Sequence, residues 1–428
     1  MSPTAMLFLF FVVFLLLHIP IGYCLGMSAM LTLLLTDLMP LSFMVQSFVA
    51  AANSFPLLAI PFFVLAGDLM LQGGISQRLV DLGRALFGHV TGALSIICVF
   101  CCAIFAALSG SGPATVAAIG GLLIPSMIEE KYDPAFAGVI SATAGTLGPI
   151  IPPSIVFAIY GVACGVSISD LFMAGFLPGL CMALALAFVA WYTSKKKGFG
   201  VKRQRATPKQ ALHALKDATW ALIAPLIILG GIYGGICTPT EAAVVACFYA
   251  LIVGLFIYKE IKFSQLFSIF SRSALTSGTC LILLGGAQAF GRILTLEQVP
   301  QTITHFINSF TDSKIVVLLL INILLFIVGM FMETLAAVTI LAPILLAVVE
   351  PMGVNPLHFG IIISMNLTIG MCTPPVGCNL FIAAGKAKCS LESMIKYLIP
   401  CLIALLVVLL FCTYCEPFVL FLPNLLKG

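Results

Sequence analysis

Charged side chains are scarce in this chain of 428 residues, where Asp, Glu, Lys and Arg together make up only 8%. Soluble globular proteins carry roughly 25% charged residues. Hydrophobic residues reach 61%, which is more than a water-soluble fold can cover with polar surface. Apolar runs recur along the chain, and about 20 apolar residues cross the hydrocarbon core of a bilayer. The composition therefore predicts a polytopic membrane protein and excludes a soluble globular class.

The alternation of apolar and polar side chains that marks membrane β-strands is also missing. Helices are then the remaining way to satisfy backbone polar groups inside lipid. We expect an all-α protein with about eleven to thirteen membrane segments, hairpins and broken helices included. No basic residue precedes Arg78, so the first apolar run lacks the basic start of a signal peptide and is predicted to be a retained helix.

Motifs of enzymes and ATP-driven pumps are absent from the sequence as well. No phosphate-binding P-loop occurs, and the five histidines do not cluster. The segment Ser109-Gly110-Ser111-Gly112 is not the Gly-x-Ser-x-Gly turn of a hydrolase. The 15 cysteines lack the spacing of a zinc site. We therefore expect no enzymatic activity and interpret the cysteines as small side chains packed between helices.

The basic residues that are present concentrate in one loop. Eight of the 20 lie in residues 194–217, where only Asp217 opposes them. Basic loops mark the cytoplasmic side of a membrane protein, so the loop predicts orientation; we expect no nucleic-acid binding. The eight are Lys195, Lys196, Lys197, Lys202, Arg203, Arg205, Lys209 and Lys216.

One pattern occurs twice, in residues 132–154 and 354–376. Pro152-Pro153 recurs as Pro374-Pro375 (374 − 152 = 222). Because proline interrupts a helix, the pattern predicts two broken membrane helices, about 134–163 and about 356–385. A weaker match at a slightly larger offset aligns Gly67 with Gly291 (291 − 67 = 224) and extends the duplication upstream. Duplicated halves around broken helices are typical of secondary transporters, most often as inverted repeats.

Two other interruptions predict helical hairpins whose tips stay at membrane depth. Small residues at 109–113 interrupt the run 88–127, and residues 329–334 interrupt the run 314–349. Lipid cannot satisfy the backbone of such a tip, so protein or a water-filled cavity must cover it.

The hairpin tips and helix breaks together form a candidate ion site. Proline leaves a carbonyl without its helical partner, and the C-terminal end of a half-helix carries partial negative charge that suits a cation such as Na⁺. Glu333 is the one acid at a tip, and is a candidate proton site unless it simply faces water. Asp68 and Arg292 are interpreted as paired structural residues or as conformational latches. Any single Gly or Pro here is equally well explained by a kink or a close helix contact.

The chain resembles the large membrane subunit of tripartite ATP-independent periplasmic (TRAP) transporters over nearly its whole length. The matching stretches are SFPLLAIP at 54–61 with LAG at 65–67, SGS at 109–111 with AT at 114–115, LGPIIPPS at 147–154, GGIYGG at 230–235 with TPTEA at 238–242, and TPPVG at 373–377 after Gly370.

The resemblance implies a multi-pass, inverted-repeat, elevator-type transporter of the bacterial inner membrane. It implies Na⁺ as coupling ion, no organic cofactor, and import of a carboxylate such as a C4-dicarboxylate, sialic acid or another sugar acid. It implies two protein partners, a small four-helix membrane subunit and a periplasmic substrate-binding protein that delivers the solute.

The resemblance also implies site residues. The first Na⁺ site would use Ser109, Ser111, Gly145, Gly148, Pro149 and Pro152, and the second would use Gly329, Thr334, Gly370, Thr373 and Pro374. The solute would lie between the hairpin tips against Ser109, Gly110, Ser154, Glu333 and Asn379.

We expect the chain to divide into a fixed scaffold and a moving transport domain built from the two repeats. The predicted scaffold comprises residues 1–54, 166–263 and 386–428, and the predicted transport domain comprises repeats 55–165 and 264–385. The alternative function is a stand-alone H⁺-coupled carboxylate carrier that depends on Glu333. A channel is a further rival, and two opposed broken-helix sites argue against it. A membrane enzyme is another, and the sequence shows no nucleophile with a matching base.

Overall fold

The computed structural model describes residues 2–36, 38–201, 204–299, 301–302 and 313–427. Lys202 and Arg203 of the predicted basic loop, and residues 303–312 of the second predicted repeat, lie outside these ranges. Within the described residues, nine helices are long and apolar enough to cross a membrane, and six shorter apolar helices accompany them. The predicted all-helical, polytopic class is confirmed.

Twenty helices are numbered here within the described residues, and short 3₁₀ segments at Phe55–Leu58 and Glu350–Met352 adjoin two of them. The first ten are α1 (Pro3–Leu16), α2 (Ile21–Leu35), α3 (Ser42–Ala52), α4 (Ala59–Gln72), α5 (Ile75–Phe87), α6 (Ala93–Ser109), α7 (Gly112–Glu129), α8 (Pro134–Leu147), α9 (Ile155–Cys164) and α10 (Ile168–Lys197). The others are α11 (Pro208–Tyr233), α12 (Pro239–Ile257), α13 (Phe263–Leu296), α14 (Lys314–Phe331), α15 (Thr334–Val349), α16 (Pro356–Gly370), α17 (Cys378–Ala387), α18 (Leu391–Tyr414), α19 (Glu416–Val419) and α20 (Phe421–Lys427).

Both predicted hairpins and both predicted broken helices are present. The first hairpin is α6 and α7, and the second is α14 and α15. The first broken helix is α8 and α9, and the second is α16 and α17. The spacing of 222 residues between the proline pairs also separates the last residues of α6 and α14 (331 − 109 = 222). It separates the first residues of α8 and α16 as well (356 − 134 = 222). The peptide bonds Pro152-Pro153 and Pro374-Pro375 are both cis.

The two broken helices start alike because their first residues are alike. Asp133 accepts a hydrogen bond from the Ala135 N–H at 2.9 Å, and Asn355 accepts one from the Leu357 N–H at 2.8 Å. A proline follows each cap, at the helical position where its missing N–H costs nothing. An Asx–Pro pair therefore begins both broken helices.

Helix packing divides the chain into two groups of elements. In the first group, α13 packs against α2, α3 and α4, and α12 packs against α4. In the second group, α9 packs against α15 and α17 packs against α8, so each broken helix contacts the other repeat. Helix α11 belongs to the first group because it packs against α12. The amphipathic helix α5 contacts both groups, since it packs against α11 and against the hairpin helix α6.

This grouping differs from the predicted division into scaffold and transport domain. Helix α10 packs against α6 and α18, and α18 packs against α8, so two helices assigned to the scaffold belong with the hairpins and broken helices. Helices α4 and α13 were assigned to the transport repeats, yet their most extensive contacts are with α12 for α4 and with α2 and α3 for α13. Hydrophobicity alone cannot reveal this, because every helix involved is apolar enough for either group.

Asp133 joins the start of α8 to α18. Besides its cap, it accepts hydrogen bonds from Tyr397 Oη at 2.7 Å and Lys396 Nζ at 3.2 Å. Burial raises the pKa of Asp133, but the hydrogen bonds from Tyr397, the Ala135 N–H and Lys396 outweigh burial and hold the pKa below its usual value. A lowered pKa means that the carboxylate stabilises the fold above its unfolded pKa, and this stabilisation is lost as pH falls through the folded-state pKa.

We therefore expect Asp133→Asn to keep the cap, as Asn355 does in α16, but to remove this pH dependence. Below about pH 4, near the unfolded pKa of Asp, the melting temperature of the purified wild type should fall more steeply than that of the variant. Asp133→Ala, which removes the cap as well, should cost about 1 kcal/mol. Parallel pH profiles for wild type and Asp133→Asn would contradict the role of the charge.

Candidate functional site

A cavity of about 400 Å³ lies where the tips of both hairpins meet α4 and α13. Ser109, Gly110 and Ser111 line it from the first tip, and Glu333 and Thr334 line it from the second. The two tips thus face one shared space. A pocket of this size is suited to a small organic molecule.

The first tip is a compact hydroxyl cluster. Ser109 Oγ lies 2.9 Å from Thr115 Oγ1, and Thr115 Oγ1 donates to the Ser111 carbonyl at 2.7 Å. Gly110 has a φ of +59° and lies so close to the first break that an added Cβ would be 3.0 Å from the Pro153 carbonyl oxygen. Only glycine combines this backbone conformation with such close contact.

Glycines also allow the first tip to touch the first broken helix. A Cβ added to Gly148 would lie 2.5 Å from the Ser111 carbonyl oxygen, and one added to Gly145 would lie 3.2 Å from the Gly112 carbonyl oxygen. Backbone carbonyls of the hairpin and of the broken helix therefore converge. Carbonyl oxygens at such half-helix ends are ligands of alkali cations in transporters.

Asn379 supports this interpretation from the second repeat. Its side chain is fully buried, its Nδ2 donates weakly to the Ala142 carbonyl at 3.4 Å, and its Oδ1 has no hydrogen-bond partner in the described structure. A Cβ on Gly112 would lie 3.3 Å from this Oδ1. Since an unpaired buried acceptor is costly, a partial or full positive charge beside it would be stabilising. The oxygen set around the first tip fits a cation such as Na⁺.

The second tip repeats the close contact with different chemistry. A Cβ on Gly370 would lie 2.5 Å from the Gly329 carbonyl carbon, so α14 and α16 touch through glycine. Thr334 Oγ1 donates to Met371 Sδ at 2.9 Å, and Thr373 Oγ1 donates to the Ile369 carbonyl at 3.2 Å. A hydroxyl that donates its proton keeps its lone pairs free for a cation.

The other residues implied for the cation sites differ in exposure. Pro149 lines the cavity and Pro152 is buried, whereas Pro374 is half-buried. The first break is covered by α10, where a Cβ on Gly175 would lie 2.8 Å from the Ile150 carbonyl oxygen. The second break is more open, since Pro375 and Val376 are exposed.

Two residues implied as solute ligands do not reach the cavity. Ser154 is fully buried, where it caps α9 by accepting the Phe157 N–H at 3.2 Å, and Asn379 is fully buried behind the first tip. Neither lines the cavity, because both lie beneath the tip rather than at its surface. Ser109, Gly110 and Glu333 do line it.

The structure adds cavity residues that the sequence analysis missed. Arg272, Thr276 and Thr279 line it from α13. Asp68 lines it from α4 and accepts a hydrogen bond from Ser273 Oγ at 2.6 Å. The available signal was an arginine inside an apolar run, as Arg292 also is. Asp68 and Arg292 line different cavities, so they are not paired with each other.

Comparison with protein families gives one match over nearly the whole chain. Residues 8–418 match the family described as "Tripartite ATP-independent periplasmic transporter, DctM component". The chain is 45% identical over 413 residues to the isethionate TRAP transporter permease protein DctMQ of Oleidesulfovibrio alaskensis, covering 96% of this chain and 65% of that protein. It therefore spans slightly under two thirds of that relative.

Two further relatives are covered almost completely. The chain is 40% identical to the C4-dicarboxylate TRAP transporter large permease protein DctM of Pseudomonas aeruginosa, covering 94% of this chain and 93% of the relative. It is 36% identical to the sialic acid TRAP transporter large permease protein SiaM of Vibrio cholerae, covering 96% of each.

Two solved structures share the fold at low sequence identity. The YdaH transporter of Alcanivorax borkumensis matches with a TM-score of 0.65 at 15% identity, covering 95% of this chain and 97% of that one. MtrF of Neisseria gonorrhoeae matches with a TM-score of 0.59 at 13% identity, covering 87% and 83%. At these identities the likeness concerns the fold alone.

The contact between Gly148 and Ser111 generates a prediction. In Gly148→Ala the added methyl meets a backbone carbonyl, which cannot rotate away, so the hairpin tip must shift. We expect a loss of about 1–3 kcal/mol, seen as a lower melting temperature of the purified protein. Gly385→Ala is the control, because a Cβ there meets nothing within 4 Å. Equal melting temperatures for the two variants would contradict the close contact.

Proposed function

Because this chain belongs to the DctM component family of tripartite ATP-independent periplasmic transporters, we propose that it is the large permease subunit of a tripartite Na⁺ symporter that imports a small organic anion. It is a multi-pass inner-membrane permease and not an enzyme. The proposal includes two partners, a small membrane subunit and a periplasmic binding protein that delivers the solute. The cavity shared by both hairpin tips is the observation that carries it.

The chemistry of the cavity supports an anionic solute. Arg272 is exposed at the cavity, and its guanidinium makes no hydrogen bond or ion pair with any described residue. A guanidinium can bind a carboxylate through two parallel hydrogen bonds. The relatives are named for C4-dicarboxylates, sialic acid and isethionate, which are carboxylates or, for isethionate, a sulfonate. We propose a carboxylate for this chain, with the sulfonate as the second candidate.

The remaining polar groups of the cavity can bind the part of the solute that Arg272 does not contact. Ser109 and Thr276 offer hydroxyls, and Asp68 and Glu333 offer acceptors for solute hydroxyl or amide groups. Bound Na⁺ would supply positive charge beneath each tip. The chain itself provides the oxygens described above, and Ser154 and Asn379 behind the first tip are fully buried. An ordered tip and a bound anion would then stabilise each other.

The two helix groups support an elevator mechanism. The hairpins and broken helices pack with α10 and α18, and they meet α4 through Gly67, where an added Cβ would lie 3.3 Å from the Ser109 Cα. A contact formed through glycine interlocks few side chains, which suits sliding. We propose that α6–α10 and α14–α18 move against α1–α4 and α11–α13, with α5 as a connection.

The proposed cation sites predict a Na⁺-dependent stability. The melting temperature of the purified chain should rise with NaCl and not with choline chloride, because only Na⁺ binds the folded state. Ser109→Ala and Thr373→Ala should each raise the half-saturating Na⁺ concentration about tenfold, equivalent to about 1.4 kcal/mol. Ser393→Ala, at the start of α18, is the control. No Na⁺ effect on the wild type would sink Na⁺ coupling; unchanged Na⁺ dependence in both variants would sink only the residue assignment.

Uptake into proteoliposomes distinguishes the proposal from a stand-alone H⁺-coupled carrier. The permease would be reconstituted with the small subunit and supplied with radiolabelled succinate or isethionate, with and without the purified binding protein. We expect an imposed Na⁺ gradient to drive uptake only when the binding protein is present. Uptake that follows a pH gradient without Na⁺, and that depends on Glu333, would support the carrier instead.

The role of Arg272 predicts a separate change in apparent affinity. Arg272→Gln should raise the KM for the anion at least about tenfold, because a charge-assisted hydrogen bond contributes about 1.5–3 kcal/mol. Arg272→Lys should recover part of the loss, since it keeps the charge but not the planar fork. Arg205→Gln, in the basic loop, is the control. An unchanged KM in Arg272→Gln would exclude the contact.

A further inference from the structure

A second cavity, of about 250 Å³, lies at the other end of α13. It is lined by Gln288, Gly291, Arg292 and Thr295 of α13, and by Thr339 and Pro343 of α15. None of these residues belongs to the site between the hairpin tips. Arg292 is exposed there, and its guanidinium makes no hydrogen bond or ion pair with any described residue.

Four α13 residues of this second cavity occupy positions equivalent, in the duplicated sequence, to the α4 residues of the first cavity. The offset is constant (291 − 67 = 224), and α4 and α13 also end at that offset, at Gln72 and Leu296 (296 − 72 = 224). The four pairs are Val64 with Gln288, Gly67 with Gly291, Asp68 with Arg292, and Leu71 with Thr295. Every residue that α4 presents to the first cavity therefore has its counterpart in the second.

Gly67 at the first cavity and Gly291 at the second have different surroundings in this structure. At Gly67 the first hairpin tip is docked, with an added Cβ only 3.3 Å from the Ser109 Cα. At Gly291 an added Cβ would meet nothing within 4 Å. The last residue of α14, Phe331, is the counterpart of Ser109 at the offset of the proline pairs, and the second tip lies at the first cavity instead. One of two equivalent docking positions is thus filled and the other is open.

We infer that the second cavity is the docking position of the second hairpin tip, and the anion site, in the opposite transport state. This inference rests on the proposed elevator mechanism. In transporters built from inverted repeats, one bundle of helices moves against the other between the two states, and the 224-residue offset makes Gly291 the position equivalent to Gly67. The tip of α14 and α15 then seats on Gly291 as the tip of α6 and α7 now seats on Gly67.

Arg292 provides the chemistry that a carboxylate or sulfonate needs at this second position. Arg272 serves the first cavity, and the roughly 20 residues between the two arginines span about 30 Å of helix. One guanidinium therefore cannot serve both cavities. Asp68, the counterpart of Arg292, already accepts the Ser273 hydroxyl and has no positive charge to offer. Arg292 is thus the cation available to the anion when the second cavity is occupied.

The open space at Gly291 gives a test that separates docking from folding. Gly291→Leu places its Cβ where nothing lies within 4 Å in the structure described here, but it obstructs the second tip. The melting temperature should therefore be unchanged while anion uptake falls at least tenfold. Gly278→Leu is the matched control on the same helix, since a Cβ there also meets nothing within 4 Å and Gly278 lines neither cavity. Uptake by Gly291→Leu equal to that of Gly278→Leu would overturn the inference.

A cross-linking arm reads the docking directly, without any transported solute. The pair Gly291→Cys with Phe331→Cys, in a background without the native cysteines, should cross-link with a short bis-maleimide in native membranes. The pair Phe263→Cys with Phe331→Cys should not, because Phe263 is the first residue of α13 and lines neither cavity. A cross-link together with no Na⁺-driven uptake by the wild type would leave the docking in place and overturn the proposed function. Normal uptake without a cross-link at Gly291 would overturn the docking and leave the proposed function in place.

The KM for anion uptake tests the proposed contact between Arg292 and the anion. Arg292→Gln should raise the KM for uptake about tenfold or more while leaving the Gly291–Phe331 cross-link intact, and Arg292→Lys should restore part of the affinity. An unchanged KM in Arg292→Gln would overturn the role of Arg292 as an anion ligand.

Discussion

Backbone polar groups that lack a helical partner inside the membrane are the constraint on which the rest of this structure depends. A broken helix exposes carbonyls and N–H groups where lipid cannot satisfy them, so the protein must cover each break with its own chain. Here the covering elements are hairpin tips that approach to backbone contact. That approach needs glycine, on one side at Gly148 beneath Ser111 and on both sides at Gly370 against Gly329. The same contact brings backbone oxygens of the hairpin and the broken helix close together, and the proposed cation site would use them.

The two helix breaks are covered to different extents, so the two repeats have different surroundings in this structure. The first is buried beneath α10, while Pro375 and Val376 of the second are exposed. The first hairpin tip is docked against α4 at Gly67, and the equivalent position at Gly291 is open. The proposed elevator mechanism uses such an asymmetry, because one group of helices moves against the other around the site.

Much of the fold was readable from local rules. The duplicated Pro-Pro pairs predicted the breaks, and Asp133 and Asn355 before proline begin the broken helices where expected. The small residues at 109–113 and 329–334 predicted the hairpin turns. These features depend on backbone geometry within a few residues, and a sequence specifies such geometry directly. The division into two helix groups was not readable, because α10, α18, α4 and α13 are all apolar and only their partners separate them.

The sequence by itself determined that this is an all-helical membrane protein with two hairpins and two broken helices, because composition and proline spacing constrain every segment alone. Only the tertiary structure decided which polar side chains share a cavity. Arg272 joins the hairpin tips, Arg292 lines a separate cavity, and Ser154 and Asn379 lie behind the first tip. The physical reason is distance along the chain: those neighbours come from helices far apart in sequence, and their approach depends on whole-helix packing rather than on local residue preferences.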